Sequence, residues 1–131
     1  MVINSYTICE PEDLEMVQGL ALYRPVGEVS LQQGVELVTS AIALAREHHV
    51  PKLMVDTSGL TGFESPSIIT RYCYAKDWAA ASRGAVRVAL VSRPEMIDPQ
   101  KFQVMVAANN GFISDVFESE EEALTWLWSV D

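Results

Sequence analysis

Short apolar runs alternate with amphipathic stretches along the whole chain. Residues 53–55 and 86–91 are largely aliphatic and too short for helices. Such runs are typical of central parallel strands that are covered on both faces. Residues 112–117 predict a further strand. Residues 6–9 and 20–23 are close enough in sequence to predict an antiparallel pair at the start. The pattern therefore predicts five strands.

The start of the second strand is left open by this pattern. Residues 20–23 should be extended, but a start at Leu14 with Gly19 as a bulge fits as well. Pro11, Glu12 and Asp13 form a turn signal after the first strand.

The first helix has a clear beginning at Ser30. Ser30 and Gln33 have the spacing of a capping box, in which each side chain accepts a hydrogen bond from a free backbone N–H. The helix should end near His49, because Pro51 disfavours helical geometry at the residue before it. Its apolar face is predicted to consist of Leu31, Val35, Leu37, Val38, Ala41, Ile42, Leu44 and Ala45.

Ser65 and Pro66 predict the start of a second helix, with Ser65 as N-cap and Pro66 at the first helical position. Gly84 predicts its end. The buried face of this helix is predicted to consist of Ile68, Tyr72, Ala75 and Ala79.

Two more helices are predicted after the fourth and fifth strands. Asp98 and Pro99 repeat the cap and proline signal. Ser119 and Glu122 form a second capping box, and its acidic first turn complements the helix dipole. The residues predicted to be buried in the last helix are Leu124, Leu127 and Trp128. Trp126 and Trp128 lie on different faces, so at least one is expected to be exposed or covered by a partner.

The predicted order of elements is ββαβαβαβα. This order predicts an α/β fold with a mostly parallel five-stranded sheet, an antiparallel edge strand and helices on both faces. The length of 131 residues predicts one domain, spanning residues 1–131.

The charge and the lack of targeting signals narrow the classes of function. A formal net charge of −9 argues against nucleic acid or an anionic membrane as the main partner. No apolar run approaches the roughly 20 residues that span a bilayer. The N-terminal residues Met-Val-Ile-Asn-Ser-Tyr lack the basic region and apolar core of a secretory signal, which predicts a cytoplasmic protein. Cys9 and Cys73 are predicted to be free thiols.

Several stretches give the chain a resemblance to a known family. They read Gly-Glu-Val-Ser at 27–30, Lys-Leu-Met-Val-Asp at 52–56, Arg-Val-Ala-Leu-Val at 87–91, Asn-Asn-Gly at 109–111 and Glu-Glu-Ala-Leu-Thr-Trp-Leu at 121–127. In order and spacing they resemble the STAS domain, and more narrowly its small SpoIIAA-like (STAS/SEC14-like) bacterial proteins. The resemblance implies a parallel sheet with an antiparallel edge strand, and many members have no assigned activity.

The resemblance also raises phosphorylation as a function. Anti-sigma-factor antagonists of the wider STAS group carry a phosphorylated serine in Asp-Ser-Ser-Gly at the start of the second helix. Asp-Thr-Ser-Gly at 56–59 matches in letters, and Glu-Ser-Pro-Ser at 64–67 matches in position. Pro66 replaces the modified serine there, so the candidate acceptors are Ser58, Ser65 and Ser67.

The polar segment from 56 to 67 is the candidate binding site, because ligands of α/β proteins lie at the carboxyl ends of strands. An anion is favoured at a helix N-terminus rich in hydroxyl groups. The alternative is that these hydroxyls only cap the helix and form a turn. The candidate binding residues are Asp56, Ser58, Thr61, Phe63, Ser65, Ser67, Arg71 and Tyr72. Tyr74 and Trp78 complete an aromatic-rich helix start, which predicts either core packing or a binding surface.

Catalytic signals are weak in this sequence. Asp56 follows a strand, where an acid or base often lies, but a loop-bracing role is the simpler interpretation. A serine nucleophile needs a histidine base, and His48 and His49 are predicted at the opposite edge of the sheet. Adjacent histidines on a helix point about 100° apart, which disfavours a shared metal. No cofactor or metal is expected.

These observations predict a non-enzymatic binding or regulatory module that forms a homodimer. Its expected partner is a protein or a small apolar or anionic ligand. The alternatives are a partner switch controlled by phosphorylation and an enzyme that uses Asp56.

Overall fold

The computed structural model describes residues 14–98 and 100–129, and for residues 102 and 103 the backbone alone. The predicted first strand at 6–9, the turn at 11–13 and Cys9 lie outside the described residues. The strands are β1 (Glu15–Val17), β2 (Leu20–Tyr23), β3 (Gly27–Glu28), β4 (Lys52–Asp56), β5 (Leu60–Thr61), β6 (Arg87–Val91) and β7 (Ser114–Phe117). The helices are α1 (Leu31–Glu47), α2 (Ile68–Ser82), α3 (Phe102–Asn109) and α4 (Glu120–Ser129).

The main sheet of the described chain has five strands in the order β1-β2-β4-β6-β7. β1 and β2 are antiparallel, and the other neighbours are parallel. The prediction of an α/β fold with a mixed sheet is therefore confirmed. The two neighbours of β2 are β1, which is antiparallel to it, and β4. The predicted pairing of residues 20–23 with residues 6–9 was therefore wrong, and the antiparallel partner comes from the segment that the sequence left open.

Gly19 lies in a hairpin turn, so its assignment as a bulge was wrong. Gln18 and Gly19 both have positive φ, at 48° and 84°. Two successive residues of this kind form the tight turn whose twist matches that of the flanking strands. Val17 and Leu20 are paired across it, which fixes the register of the hairpin.

Alternate residues of the central strands face opposite sides of the sheet. Leu53 and Val55 pack into the larger core cluster, which includes side chains of α1, α2 and α3. Met54 packs into a second cluster with Ala123 and Leu127 of α4. Among the described helices, three therefore cover one face and α4 covers the other. No described helix is long and apolar enough to cross a membrane.

The first helix agrees closely with its sequence signals. The backbone N–H of Ser30 donates to the Gln33 side chain at 2.8 Å, and the N–H of Gln33 donates to the Ser30 hydroxyl at 3.1 Å. These two bonds confirm the capping box. The predicted face is buried at Leu37, Val38, Ala41, Ile42 and Ala45.

The second helix begins two residues later than the predicted first position. Its N-cap is Ser67, whose hydroxyl accepts from the N–H of Thr70 at 3.2 Å. The assignment of Ser65 as N-cap was therefore wrong, and Pro66 lies before the helix. The buried face also differs, since Ile68 is 60% exposed and Tyr72 44% exposed. The side chains that α2 buries are Arg71, Tyr74, Ala75, Trp78, Ala79 and Ser82.

Helices α3 and α4 depart from prediction in detail. The Asp98 carboxylate accepts from the N–H of Gln100 at 3.1 Å, but this forms a turn and the regular helix begins at Phe102. At α4 the Ser119 hydroxyl accepts from the N–H of Glu122 at 3.2 Å, which confirms one half of the capping box. Trp128 was predicted to be buried and is 55% exposed.

A second, two-stranded sheet holds the entry to α1 against the loop after β4. β3 and β5 pair in parallel, and the N–H of Val29 donates to Thr61 O at 2.8 Å. Gly62 follows β5 with a φ of 104°, and a Cβ there would lie 2.5 Å from Val29 O. A glycine is required at this position because both the angle and the contact exclude a side chain.

Candidate functional site

A pocket of about 70 Å³ lies at the carboxyl end of the central strands, between α1 and α2. This is the edge of an open α/β sheet where ligands commonly bind. The apolar side chains of its wall include Leu31, Val35, Val38, Leu60, Phe63, Trp78, Leu90 and Met96. Its polar side chains are Thr57, Arg71, Tyr74, Ser92 and Arg93.

Successive side chains of β4 point to opposite faces of the sheet. This alternation decides which polar side chain at the end of the strand enters the pocket. Val55 faces the α1 and α2 side of the sheet, and the next residue in the same phase is Thr57. Thr57 lines the pocket, whereas Asp56 lies in the phase of Met54 on the α4 side. The strand-end position that the sequence singled out is thus one residue away from the pocket.

Thr57 and Ser92 form a hydroxyl pair at the ends of β4 and β6. The Thr57 hydroxyl donates to Val91 O at 2.8 Å and lies 3.2 Å from the Ser92 hydroxyl. Because the Thr57 proton is used for Val91, Ser92 is the donor within the pair. The remaining oxygen lone pairs give this part of the pocket hydrogen-bond acceptors.

Arg71 is a buried cation that connects two loops of the pocket. Its side chain is on α2, and the residue is 5% exposed. The guanidinium donates to Pro66 O at 3.1 Å, to the Ser65 hydroxyl at 2.7 Å and to Met96 O at 3.2 Å. Arg71 thereby ties the segment before α2 to the short 3₁₀ turn at Pro94–Met96.

The aromatic wall of the pocket comes from α2. The rings of Tyr74 and Trp78 lie 4.6 Å apart between centroids. Burial raises the pKa of the Tyr74 phenol above its ordinary value of 10.0, against a smaller opposing effect of Arg71. The Tyr74 phenol is therefore neutral across the physiological range of pH. The Trp78 indole N–H donates to Val35 O at 3.3 Å, which joins α2 to α1.

Arg93 is the more accessible of the two arginines that line the pocket. Its side chain is 33% exposed and lies 3.7 Å from the Glu95 carboxylate, which is itself 65% exposed. Its guanidinium also donates to Leu60 O at 3.4 Å, a long hydrogen bond. A guanidinium has five N–H donors, so most of those on Arg93 have no partner among the described residues.

Asp56 belongs to a separate ionic cluster on the α4 side. Its carboxylate accepts from the N–H and hydroxyl of Ser58 at 2.9 and 2.6 Å. Arg24 makes two hydrogen bonds to Glu120, at 2.9 and 3.0 Å. Burial raises the pKa of Asp56, but its hydrogen bonds with Glu120 and Ser58 and the charge of Arg24 lower it below 3.8 overall. An Asp56 that is ionised at neutral pH does not favour a role as a proton donor.

The remaining predicted site residues are distributed around the pocket. Phe63 and Arg71 line it, and Ser65 is bonded to Arg71. Ser67 caps α2 and Ser58 braces Asp56. Thr61 is exposed, and its hydroxyl reaches Gly27 O at 3.5 Å. Tyr72 is exposed beside Lys76, whose ammonium lies 5.4 Å from the ring centroid.

The sequence reasoning missed Thr57, Ser92 and Arg93. A signal for Thr57 and Ser92 was present, because each directly follows the last residue of its strand, β4 or β6. Strand ends of adjacent parallel strands meet at one edge. Applying that rule together with the two-residue period selects Thr57 and Ser92, in phase with Val55 and Leu90. Arg93 lies one residue further on and is not selected by the period.

The described residues contain no group of three or more His, Cys, Asp or Glu side chains that are placed to hold a metal ion. Cys73, within the described chain, is a free and exposed thiol. No protein-family model matches the sequence, and no curated protein matches it.

Proposed function

We propose that this chain is a non-enzymatic binding or regulatory module of the STAS-like kind. Its working site is the pocket at the carboxyl ends of β4 and β6, and its ligand is a small molecule. The observation that supports this most is the composition of the wall, in which the aromatic rings of Phe63 and Trp78 line the same pocket as the guanidinium of Arg93. Apolar walls with a few convergent polar groups are typical of small-molecule sites.

Three further features support binding at this place. The small β3–β5 sheet and the Arg71 contacts hold the loops around the pocket in one arrangement. Preorganised loops reduce the entropic cost of binding. The element order agrees at a coarse level with the STAS-like resemblance, and the ionised Asp56 faces away from the pocket.

The direct test compares Phe63→Ala with Tyr72→Ala. Both substitutions remove an aromatic ring, but Phe63 lines the pocket and Tyr72 is exposed on the other side of α2. Small probe molecules are screened by ¹H–¹⁵N NMR, and the indole N–H signal of Trp78 is assigned from its loss in Trp78→Phe. We expect probes that shift this signal in the wild type to bind Phe63→Ala several-fold more weakly and Tyr72→Ala equally well.

Two outcomes contradict the proposal. In one, no probe shifts the Trp78 signal. In the other, Tyr72→Ala loses binding while Phe63→Ala keeps it. Thermal unfolding of both variants shows whether each remains folded at the temperature of the binding experiment.

A phosphorylation switch is the second candidate function, and the Ser65 environment supports it. The Ser65 hydroxyl is exposed and already accepts a hydrogen bond from Arg71 at 2.7 Å. A phosphate on this oxygen gains charge-assisted hydrogen bonds from the guanidinium. Ser58 and Ser67 are less suited because their hydroxyls brace Asp56 and cap α2. Incubation with serine kinases and mass mapping tests this candidate, and an unmodified Ser65 removes it.

A homodimer and a cytoplasmic location remain predictions. Ile68, Ile69 and Tyr72 form an exposed apolar group at the start of α2, with Ile69 76% exposed. Sedimentation equilibrium of the wild type and of Ile69→Ser tests whether two copies of the chain associate through this group.

A further inference from the structure

The pocket combines an apolar wall with two arginines, and this combination indicates the class of ligand. Its lining includes Val35, Leu60, Phe63 and Trp78 together with Arg71 and Arg93. Its volume of about 70 Å³ is roughly half that of an engineered apolar cavity that binds benzene. The pocket therefore encloses an apolar group of about three to five non-hydrogen atoms, and the rest of a longer ligand lies outside it.

The charge around this pocket is opposite to the charge of the chain. The chain has 18 acidic and 9 basic residues. Yet Arg71 and Arg93 line the pocket, and none of the described residues that line it is acidic. Asp98 lies outside this lining, and its charge contributes to the raised pKa of Tyr74. Glu95 is the acidic side chain that reaches Arg93, and it does so from an exposed position at 3.7 Å. An exposed ion pair of this kind contributes little stability. A ligand anion that the pocket partly removes from water can therefore take the place of the Glu95 carboxylate on Arg93.

Arg93 is better placed than Arg71 to bind that anion. Arg71 uses its donors on Pro66, Ser65 and Met96, and it is almost fully buried. The hydrogen bond of Arg93 to Leu60 O is long at 3.4 Å, and its ion pair with Glu95 spans 3.7 Å. The Arg93 side chain also remains partly exposed. Arg71 contributes positive charge to the pocket wall, while Arg93 contributes the fork of donors that matches a planar anion.

The structure favours a carboxylate over a phosphate as this anion. Protein phosphate sites commonly use several free backbone N–H groups at a helix N-terminus. Here Ser30 and Gln33 cap α1, and Ser67 caps α2, so these N-termini already have side-chain partners. A carboxylate needs one guanidinium in bidentate geometry. An apolar tail also matches the wall better than a polar sugar or nucleotide.

We propose that the pocket binds a small aliphatic monocarboxylate of about four to six carbons, with the tail between Phe63 and Trp78 and the carboxylate on Arg93. This inference rests on the proposed binding function and names the ligand class of the same pocket. Hexanoate is the probe of choice, hexan-1-ol is its uncharged counterpart, and inorganic phosphate is the anion without a tail.

The experiment titrates each probe into the ¹⁵N-labelled protein and follows the Trp78 indole signal. We expect hexanoate to bind in about the millimolar range, since a ligand of this size has few atoms that contribute to affinity. Hexan-1-ol should bind about tenfold more weakly, because it lacks the charge-assisted hydrogen bonds. Inorganic phosphate should leave the signal unchanged.

The variant that tests the role of Arg93 is Arg93→Gln, and its matched control is Arg83→Gln. Both remove one positive charge, but Arg83 is exposed at the far end of α2. We expect Arg93→Gln to weaken hexanoate about tenfold and to leave hexan-1-ol unchanged, so that the two bind alike. Arg83→Gln should retain the wild-type preference.

The possible failures are distinguishable. If neither hexanoate nor hexan-1-ol shifts the Trp78 signal, both this inference and the proposed binding function are contradicted for small apolar ligands. Equal binding of the two probes to the wild type overturns the carboxylate assignment and leaves the binding function standing. Tighter binding of phosphate, or an unchanged preference in Arg93→Gln, also overturns it.

Discussion

Gly34 shows how a single missing side chain shapes the pocket. It is a buried glycine in the first turns of α1 and forms part of the pocket wall. A Cβ at this position would lie 3.8 Å from Leu60 and Val29 and 3.9 Å from Phe63, which are ordinary contact distances. The backbone therefore tolerates a side chain here, and the glycine keeps space open.

We expect Gly34→Ala to stabilise the fold and weaken ligand binding. Alanine is favoured over glycine within a helix by about 1 kcal/mol, and its methyl group narrows the pocket. Denaturant titration should show a free energy of unfolding higher by about 0.5–1 kcal/mol. Hexanoate should bind several-fold more weakly.

Ser40→Ala is the matched control, because Ser40 is an exposed residue of the same helix. It should stabilise α1 modestly without affecting the ligand. A Gly34→Ala protein that is less stable than the wild type would show that the wall at this point has no room for a methyl group.

The sequence identified the correct strand end. Of the two adjacent residues there, the sequence pointed to Asp56, whereas Thr57 lines the pocket. Asp56 drew attention because a carboxylate at a strand end often has a chemical role. The period of two residues along β4 places Thr57 and not Asp56 with Val55, on the side that α1 and α2 cover. The face could have been predicted from the sequence. The depth of the pocket could not, because it depends on contacts between segments far apart in the chain.

At the scale of elements, Arg71 connects the loops of the pocket. It joins α2, the segment before it and the 3₁₀ turn at Pro94–Met96 through three described hydrogen bonds. Arg71→Met should lower the free energy of unfolding by about 1–3 kcal/mol, because it leaves carbonyl groups without their charged donor. Hydrogen exchange should increase in residues 62–67 and 94–97.

Ser65→Ala separates the effect of one hydrogen bond from that of the whole guanidinium. It removes one acceptor of Arg71 and should cost less than Arg71→Met. If Arg71→Met leaves exchange in both segments unchanged, Arg71 does not hold these loops together.

The ionic cluster between β2, β4 and α4 makes a contribution to stability that depends on pH. The pKa of Asp56 is lowered in the folded protein, below its ordinary value of 3.8. Its charge therefore stabilises the fold above pH 3.8, and this contribution is lost as the pH falls through the lower folded-state pKa. Because the group is only partly buried and its charge is screened by solvent, we expect less than about 1 kcal/mol.

Asp56→Asn tests this sign, since the amide oxygen can still accept from Ser58. The free energies of unfolding of the two proteins should differ near neutral pH and converge below pH 3.8. Asp77→Asn, an exposed change on α2, serves as the control. A difference that grows as the pH falls would contradict the proposed cause.

The buried face of α2 was predicted correctly at Ala75 and Ala79 and wrongly at Ile68 and Tyr72, and the errors have a physical reason. The apolar pattern placed Ile68 and Tyr72 inside and did not include Arg71, which was predicted as a candidate binding residue. In the structure Arg71 is buried because its hydrogen bonds compensate the loss of water, and Ile68 is exposed. The periodicity of apolar residues shows which side chains are favoured to leave water. It does not indicate a buried guanidinium, whose burial depends on hydrogen-bond partners in other parts of the chain.

At the scale of the whole molecule, the sequence predicted the architecture more reliably than the details. The aliphatic runs of β4 and β6 indicated central strands, and their parallel pairing follows from the helices between them. The caps at Ser30 and Ser119 correctly marked the starts of α1 and α4. The two-stranded β3–β5 sheet was missed, since two residues per strand carry no periodic signal.

The arrangement of α4 has a consequence for the protein during its synthesis. α4 alone, among the described helices, covers the sheet face that carries Met54, Ala89 and Val91. It also follows every strand of that sheet in the chain, so all five leave the ribosome before it does. Until residues 120–129 emerge, no described helix covers this apolar face. In the growing chain this face is therefore covered later than the face against which α1, α2 and α3 pack.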